Sequence, residues 1–470
     1  MKSVPYHPAE RTAAIAIALT AAAVVVLPPL PRLCAVGLLA ALPLLAWMVS
    51  SSVAWMGLFL GAVLLLPPLP ASVGNSGAHP ALLLAAFGAY AAFLFAHRWT
   101  HAKSPITAPA VVLTALMLAS VPMALLYSGV EVAVGSAVRV LLFAMAPFVF
   151  VHVVSGPGQT LAASELGPAK LLFAGGVLSA LFACVDFFYQ LPAPSGYSPQ
   201  FIWLADRVLR RAQGLFYDAG ALGNMCAFFL VMVAAAMLAP GRRGLNRWMA
   251  AAGAVPLATA MVFSYSRASV LNVVVSIGAM LCVRRREVKW LRVAAAVLAA
   301  GAMVSVVVSS LAPGLAQWWV QRAQKTFELA FSASDAALSG RVSSWQTIAS
   351  FTMEHPVRAL IGVGYKTLPY SDVLGQPIIA DNTYLSAFIE TGIAGLAALC
   401  ALHVAILRAT YRAARSANRA AAFYGLWAFS FWVGEIVQMG AADLLTYWRL
   451  LPVFFFVIAM AVLKAREQSA

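Results

Sequence analysis

Residues 380–396 read ADNTYLSAFIETGIAGL, a polar pair followed at once by a long apolar run that continues to about residue 408. About 20 apolar residues cross the hydrocarbon of a bilayer, so the run predicts a membrane-spanning helix over 384–408. The polar pair has two compatible interpretations. Asp381 and Asn382 are both good N-caps for the helix, and Asp381 is also a candidate general base at the membrane border. Glu390 lies about two turns further in, where a carboxylate is costly and is therefore a candidate functional or ion-paired group.

The composition of the whole chain agrees with this interpretation. Of its 470 residues, 62% are hydrophobic and only 10% are charged, whereas a soluble domain carries roughly 25% charged residues. The sequence therefore predicts an all-α, polytopic membrane protein. The first apolar run is followed by PPLPRL rather than a small-residue cleavage site, so it is predicted to be a span and not a signal peptide. The net charge of +15 is attributed to basic cytoplasmic loops and not to nucleic-acid binding.

Apolar runs of sufficient length predict twelve to fourteen spans. They lie near 13–29, 33–50, 53–70, 80–97, 105–128, 133–154, 170–191, 221–239, 249–266, 267–283, 291–311, 384–408, 420–439 and 447–463. Basic clusters occur at alternate span ends, at 242–247, 284–289, 408–419 and 464–466, and the positive-inside rule makes that side cytoplasmic. Both termini are then predicted to be cytoplasmic.

Two non-membrane stretches, about 192–220 and 312–383, are predicted on the outer side. In the longer one, residues 317–331 have aromatic and apolar residues at helical spacing with two tryptophans, which predicts a helix in the membrane interface, and a second helix is predicted over 341–354. The chain thus divides into N-terminal transmembrane helices (1–200), helices with outer arginines (201–311), an outward-facing and mainly helical loop (312–383) and C-terminal helices (384–470).

An unusual set of ionisable residues is predicted at the outer border, against the positive-inside tendency. They are Arg207, Arg210, Arg211, Asp218, Arg267, Arg341, His355, Arg358, Lys366, Asp372, Asp381, Glu390, Asp443 and Arg449. Arg267 is the most informative, because almost no loop separates the two spans around it. It either snorkels to lipid headgroups or contributes to an anion site. Several outward arginines with few acids favour a phosphate-bearing ligand, and we expect Arg211, Arg267, Arg341 and Asp381 to share one cavity.

Common catalytic metal motifs are not found in the sequence. It contains neither HExxH nor a Walker loop, and no Asp-x-Asp pair lies on a predicted outer loop. The five cysteines lie in or beside apolar runs without metal-ligand spacing and are interpreted as small core residues. His355, which precedes Pro356, is either a packing residue or a base.

Four ordered segments resemble the O-antigen ligase and O-antigen polymerase superfamily of bacterial envelope glycosyltransferases. They are RAQGLFYDAGALGN (211–224), SYSRASVL (264–271), GRVSSWQTIASFTMEHPVRALIGVGY (340–365) and DNTYLSAFIETGIAGL (381–396). Ligases of this superfamily typically have His-Asn where this chain has Asp381-Asn382. Carboxylate versions look more like polymerases, so a polymerase is favoured over a ligase.

The resemblance implies a GT-C-like fold, an inner-membrane location and an outer-leaflet donor glycan on undecaprenyl pyrophosphate. It implies an inverting, metal-independent and cofactor-free transfer to an acceptor glycan or to lipid A-core, with a flippase and a chain-length regulator as further partners. The implied catalytic residues are Arg211, Arg267 and Asp381, and the implied substrate-binding residues are Arg210, Arg341, His355, Asn382, Tyr384 and Glu390.

Functions of other classes remain as alternatives. A secondary transporter would need ionisable residues near the membrane midplane, for which Arg139, Asp186 and Glu435 are candidates. A membrane cysteine protease is disfavoured because no cysteine is predicted outside near a histidine. A purely structural scaffold gives no reason for three outward arginines.

Overall fold

The structure is a computed structural model. It describes residues 51–69, 72–73, 76–77, 79–94, 104–155, 166–194, 196–203, 208–238, 246–285 and 341–467, together with scattered positions between 301 and 324. The statements below concern these residues.

Helices make up most of the described chain. They are α1 (Ser52–Leu65), α2 (Pro80–Leu94), α3 (Thr107–Ala119), α4 (Val121–Val154), α5 (Gly167–Tyr189), α6 (Ala219–Leu238), α7 (Arg247–Ser264), α8 (Arg267–Val283), α9 (Arg341–Glu354), α10 (Pro356–Ile361), α11 (Thr383–Ala414), α12 (Arg419–Met439) and α13 (Leu451–Arg466). Two short antiparallel hairpins pair β1 (Ser72–Val73) with β2 (Ser76–Gly77) and β3 (Phe201–Trp203) with β4 (Val208–Arg210).

The all-α polytopic prediction is confirmed. By length and composition, α4, α5, α6, α11 and α12 can each cross a membrane, and five shorter described helices are also apolar. The predicted spans 13–29 and 33–50, most of 291–311 and most of the predicted interface helix 317–331 lie outside the described residues. The helix predicted over 341–354 is α9.

The C-terminal helix α13 lies at the centre of the bundle. Every residue from Leu451 to Lys464 is buried, and the helix packs against α4, α11 and α12. A helix that is apolar on all sides is buried by protein or lipid on all sides, and here neighbouring helices bury it. On the adjoining α12, the indole N–H of Trp427 donates to the carbonyl of Phe228 in α6 at 2.9 Å.

Two predicted spans are interrupted in the structure. The span predicted over 105–128 is divided between two helices, because α3 ends at Ala119 and α4 begins at Val121. The non-helical backbone at Gly129 lies in the gap between this predicted span and the one over 133–154. The span predicted over 384–408 lies within α11, which is long and apolar enough to cross a membrane but is broken at Gly392. Both glycines have positive φ (84° and 73°), a conformation that L side chains rarely adopt.

The break in α11 is filled by the loop after α10. The N–H groups of Val363 and Gly364 donate to the carbonyls of Ile389 and Glu390 at 2.9 and 3.0 Å. A Cβ on Gly362 would lie 2.7 Å from the Glu390 carbonyl oxygen, and one on Gly392 would lie 2.7 Å from that of Ile361. The loop therefore supplies the backbone hydrogen bonds that the break leaves unmade, and both crossing positions require glycine.

The connections that carry the predicted site meet at one end of the bundle. The amide of Asn382 at the start of α11 donates to the carbonyl of Gly440 after α12 at 3.0 Å. At the opposite end, the amide of Asn418 donates to the carbonyl of Lys464 at 3.2 Å, and Arg284 donates to that of Ala414 at 3.0 Å. The basic residues Arg284, Arg415 and Lys464 thus lie at the end away from the site.

Candidate functional site

A hairpin and a helix end fix the position of Arg211. The residue follows β4, its backbone N–H donates to Gln200 at 2.9 Å, and the next N–H, of Ala212, donates to Phe263 at 2.9 Å. Its guanidinium Nε donates to the carbonyl of Ser264 at 2.8 Å. The segment around Arg211, which follows β4, is therefore held against the end of α7, beside the turn that carries Arg267.

Arg267 is the first residue of α8, directly after a tight turn. Tyr265 adopts left-handed backbone (φ 52°), and Ser266 is the N-cap, whose hydroxyl accepts from the N–H of Ser269. The serine hydroxyls beside Arg267 mostly serve this turn, since Ser264 Oγ donates to the carbonyl of Met261 at 2.7 Å. The turn places a guanidinium at a helix N-terminus, where the helix dipole favours a negative ligand.

Arg341 and Asp381 form an ion pair at the other side of the site. Arg341 Nε lies 3.1 Å from Asp381 Oδ2, and the Asp381 side chain keeps 42% of its surface exposed. The indole of Trp345, one turn along α9, donates to the carbonyl of Ala380 at 2.8 Å. A helix of the preceding loop thus sets the position of the carboxylate.

The N-cap of α11 is Asn382 and not Asp381. Asn382 Oδ1 accepts from the N–H groups of Tyr384 and Leu385 at 3.0 and 3.1 Å. Asp381 instead has left-handed backbone (φ 44°). The expectation that Asp381 caps the helix is therefore corrected, and its carboxylate is available to the cavity.

A cavity of about 530 Å³ brings these elements together. Among its lining residues are Arg211, Arg341 and Asp381, and it is also lined by Ser266 and Ala268, the two neighbours of Arg267. The charges of Arg211 and Arg341 act on Arg267. Three guanidinium groups therefore lie close enough to repel one another.

The local carboxylates only partly balance that positive charge. Besides Asp381, Asp218 lines the cavity, and its oxygens accept from the N–H of Ala221 at 2.6 Å and from Gln200 Nε2 at 3.1 Å. Burial lowers the pKa of Arg211, and the negative charge of Asp218 opposes this shift. The whole lining holds four cations (Arg139, Arg211, Arg341 and Lys366) and four carboxylates (Asp218, Asp381, Glu390 and Asp443). Arg267 beside the cavity adds one further positive charge, which an added anion would balance.

A second charged group at the cavity wall was missed as a site by the sequence analysis. Lys366, which is 4% exposed and has positive φ (54°), pairs with Asp443, and its Nζ lies 3.8 Å from Glu390 Oε2. Ser386 Oγ also donates to Asp443 at 3.1 Å. Glu390 is thus an ion-paired carboxylate, the second of its two expected roles. Lys366 and Asp443 were both in the set of charges predicted at the outer border. Nothing in the sequence indicated that the two would pair.

Four other predicted substrate-binding residues do not line the cavity. Arg210 lies 3.5 Å from Asp186, and His355 is exposed and packs its ring against that of Phe351. The Tyr384 hydroxyl donates to the carbonyl of Ile436 at 2.8 Å. Asn382 uses both ends of its amide for the helix cap and the contact with Gly440. In the structure, each of these four residues contacts other protein groups outside the cavity lining.

Glu435, the transporter candidate, lies in a polar network between helices. Its Oε2 accepts from the amides of Asn224 and Asn272 at 2.7 and 2.9 Å, and Gln438 Oε1 accepts from the same two amides at 3.2 and 2.9 Å. The network joins α6, α8 and α12. Gln438 also lines the cavity, so the network lies directly beneath the candidate site.

Among the described residues, no three His, Cys, Asp or Glu side chains cluster closely enough to hold a metal ion. The charge around the cavity is supplied by arginine, lysine, aspartate and glutamate side chains.

The fold and the cavity define a multi-pass membrane protein with a cationic site at one end of its helical bundle. Residues 252–400 match the family model described as O-antigen ligase. The match covers Arg267, Arg341, Asp381 and Glu390, and it confirms the resemblance to the O-antigen ligase and polymerase superfamily over this part of the chain. No curated protein matches the chain.

Proposed function

We propose that the chain is a membrane glycosyltransferase that transfers or polymerises a glycan from an undecaprenyl-pyrophosphate donor at the periplasmic face of the bacterial inner membrane. The observation that carries the proposal is the cavity where Arg211, Arg341 and Asp381 meet beside Arg267. A lipid-linked donor needs a cationic site at the membrane border. The match to the O-antigen ligase model supports the same class of reaction.

The arginines have a defined role in this reaction. As the bond between the anomeric carbon and the pyrophosphate breaks, negative charge builds up on the leaving oxygen. Arg211 and Arg267 stabilise that charge, because guanidinium groups that are already in place need no reorganisation as the charge develops. The backbone and the Ser264 carbonyl hold Arg211 in advance, and the helix N-terminus holds Arg267.

Asp381 serves as the general base for the acceptor hydroxyl. Its side chain is 42% exposed, it has no capping duty, and it lines the same cavity as the arginines. A carboxylate held in this position can accept the proton of an attacking hydroxyl. The proton of the attacking hydroxyl passes to the carboxylate while the pyrophosphate leaves from the opposite face, so a single displacement inverts the anomeric centre. Arg341 keeps the carboxylate in position through its ion pair.

We favour a polymerase of a surface polysaccharide, because Asp381 stands where ligases of the superfamily typically have histidine. Lipid-linked glycans are then both donor and acceptor. The outward-facing loop 312–383 covers the site, helices of residues 1–200 hold the isoprenoid tail, both termini are cytoplasmic, and a flippase and a chain-length regulator act with the enzyme.

The second candidate is an O-antigen ligase, favoured by the description of the matching family model. Its acceptor is lipid A-core. A transporter is less well supported, because Glu435 is bonded to amides of neighbouring helices and lies beneath the cationic cavity.

Deletion of the gene followed by gel analysis of the cell's polysaccharide tests the proposal. Loss of long chains with retention of single repeat units on lipid A-core supports a polymerase. Loss of all glycan from lipid A-core, with accumulation of long lipid-linked glycan, supports a ligase. Unchanged chain length and attachment contradict both functions.

A further inference from the structure

A second recess adjoins the arginine cavity and has a different lining. Its volume is about 360 Å³. Six residues line both spaces: Arg139, Asp218, Lys366, Tyr370, Thr446 and Tyr447. Because these six residues face both spaces, the recess is directly adjacent to the arginine cavity.

Aromatic side chains dominate the lining of the recess. They are Tyr197, Phe216, Tyr365, Tyr370, Tyr447 and Trp448. Tyr370 is 42% exposed, and Thr446, on the same wall, is also exposed. A sugar ring has an apolar face of C–H bonds and a rim of hydroxyl groups, so aromatic rings interleaved with hydrogen-bonding groups are the surface that it fits.

Arg139 provides a hydrogen-bond donor at the junction of the two spaces. Its guanidinium stacks over the Tyr370 ring at 4.0 Å, and one nitrogen donates to the carbonyl of Lys366 at 3.0 Å. Its other terminal nitrogen, Nη2, is buried without a hydrogen-bond partner among the described residues. A buried donor without an acceptor costs free energy, and a ligand hydroxyl or carboxylate would satisfy it.

Lys366, the other cation that lines both spaces, is paired with carboxylates, unlike Arg139. Lys366 is paired with Asp443 and lies near Glu390, so its charge is balanced within the protein. Arg139 has no carboxylate within ion-pair distance among the described residues. Arg449 also lines the recess, and its guanidinium donates to the backbone carbonyls of Val63, Leu66 and Leu215. Among the three cations of the recess, Arg139 is the one with a buried terminal nitrogen that has no hydrogen-bond partner among the described residues.

We infer that this recess binds a sugar ring of the donor glycan, with Tyr370 as the stacking surface and Arg139 as a hydrogen-bond donor to the sugar. The inference rests on the proposed function, since it assigns the pyrophosphate to the arginine cavity and the attached glycan to the recess. It makes Tyr370 and Arg139 residues that recognise sugar and not phosphate.

The test uses the full chain with Asp381→Asn, which blocks transfer and traps bound donor. The protein is purified from cells that make the lipid-linked glycan, and native mass spectrometry measures the retained ratio of glycan-bearing lipid to added undecaprenyl pyrophosphate. Adding Tyr370→Ala is expected to lower this ratio roughly twofold to tenfold, the usual range for one aromatic contact. Arg139→Gln is expected to lower it as well. Binding of undecaprenyl pyrophosphate alone should not change.

Two further variants control for indirect effects. Tyr370→Trp keeps an aromatic surface and should retain the ratio. Tyr411→Ala removes a tyrosine of similar exposure (37%) at the basic end of the bundle and should leave the ratio unchanged. An unchanged ratio in Tyr370→Ala, or equal loss of both lipids, overturns the sugar subsite alone. Failure of the parent protein to retain either lipid overturns the proposed function and the subsite with it.

Discussion

The arginine cavity and the network around Glu435 are adjacent, yet they treat buried charge in opposite ways. Glu435 is 1% exposed, and amides from two other helices donate to its carboxylate. In the cavity, by contrast, the charges of Arg211, Arg267 and Arg341 act on one another. A carboxylate oxygen that accepts hydrogen bonds from two neighbouring helices joins those helices together, whereas a cluster of like charges is stabilised by a ligand of opposite charge.

The Glu435 network and the arginine cavity also differ in how they contribute to the free energy of the folded protein. Hydrogen bonds between membrane helices contribute roughly 0.6 kcal/mol each on average, so a network of this kind aids assembly modestly. Repulsion between partly buried guanidinium groups costs free energy, which binding of an anion would recover. Substitutions in the cavity should therefore affect activity, and substitutions in the network should affect it little.

The largest effect is expected for Asp381→Asn. Removing a general base typically lowers the rate by about 10²–10⁴, while the fold should be retained because Asn382 supplies the cap. Glycan transfer by the purified protein and its melting temperature check both points. The matched control is Asn382→Ala, which removes the cap and should lower stability by about 0.5–2 kcal/mol. A fully active Asp381→Asn protein would exclude the base.

The next largest effect is expected for Arg267→Ala. Loss of one preorganised donor costs about 10²–10³ in rate, and Arg267→Lys should recover little because an ammonium lacks the two parallel hydrogen bonds of a guanidinium. The transfer rate and the yield of folded protein are measured together. Arg415→Ala, an exposed arginine at the opposite end, should behave as the unmodified chain. If Arg267→Lys is fully active, the charge alone suffices and the paired geometry is not needed.

A smaller effect is expected for Trp345→Phe. The change removes the 2.8 Å hydrogen bond to Ala380 that positions Asp381, and one such bond contributes about 0.5–1.5 kcal/mol, or up to about tenfold in rate. Combining it with Asp381→Asn separates positioning from general destabilisation. In the double variant the rate should equal that of Asp381→Asn alone, and additive losses would show that Trp345 acts elsewhere.

The smallest effect is expected for Glu435→Gln. The glutamine oxygen can still accept from the amides of Asn224 and Asn272, so the transfer rate should stay close to that of the unmodified chain. The comparison with Asp381→Asn is direct, since both changes replace a carboxylate by an amide of the same shape. Complete loss of function in Glu435→Gln would remove the distinction between the two regions and revive a transport mechanism.

Much of the fold was predictable because hydropathy and span length carry most of the information in a membrane protein. The helix α9 begins and ends where the sequence predicted, and Arg267 stands at a span junction as expected. The break at Gly392 was not predicted, since the apolar character is continuous through it, whereas Gly129 lies in the gap between the predicted spans 105–128 and 133–154. The division at Ser120, between α3 and α4, was not predicted either. They depend on backbone conformation and on contacts with distant segments.

The site was predictable only in part. Arg211, Arg267, Arg341 and Asp381 were expected in one cavity because topology places them on one side. Arg211, Arg341 and Asp381 line it, whereas Arg267 lies beside it and is not among the lining residues. The pair of Lys366 and Asp443 was not assigned a role, because the two residues are 77 positions apart and no local pattern joins them. The choice of Asn382 over Asp381 as the cap depends on a single backbone angle at Asp381, which the residue types do not determine.

The crossing of Gly362 and Gly392 limits how this chain can be recombined with relatives. The loop after α10 completes the hydrogen bonds of the broken helix α11, and each glycine leaves room for the other segment's backbone. The loop and the broken helix have complementary backbone surfaces. A chimaera that exchanges only one of them would combine two surfaces that do not fit each other. Exchange of substrate specificity between homologues should therefore succeed only when residues 356–396 are transferred as one block.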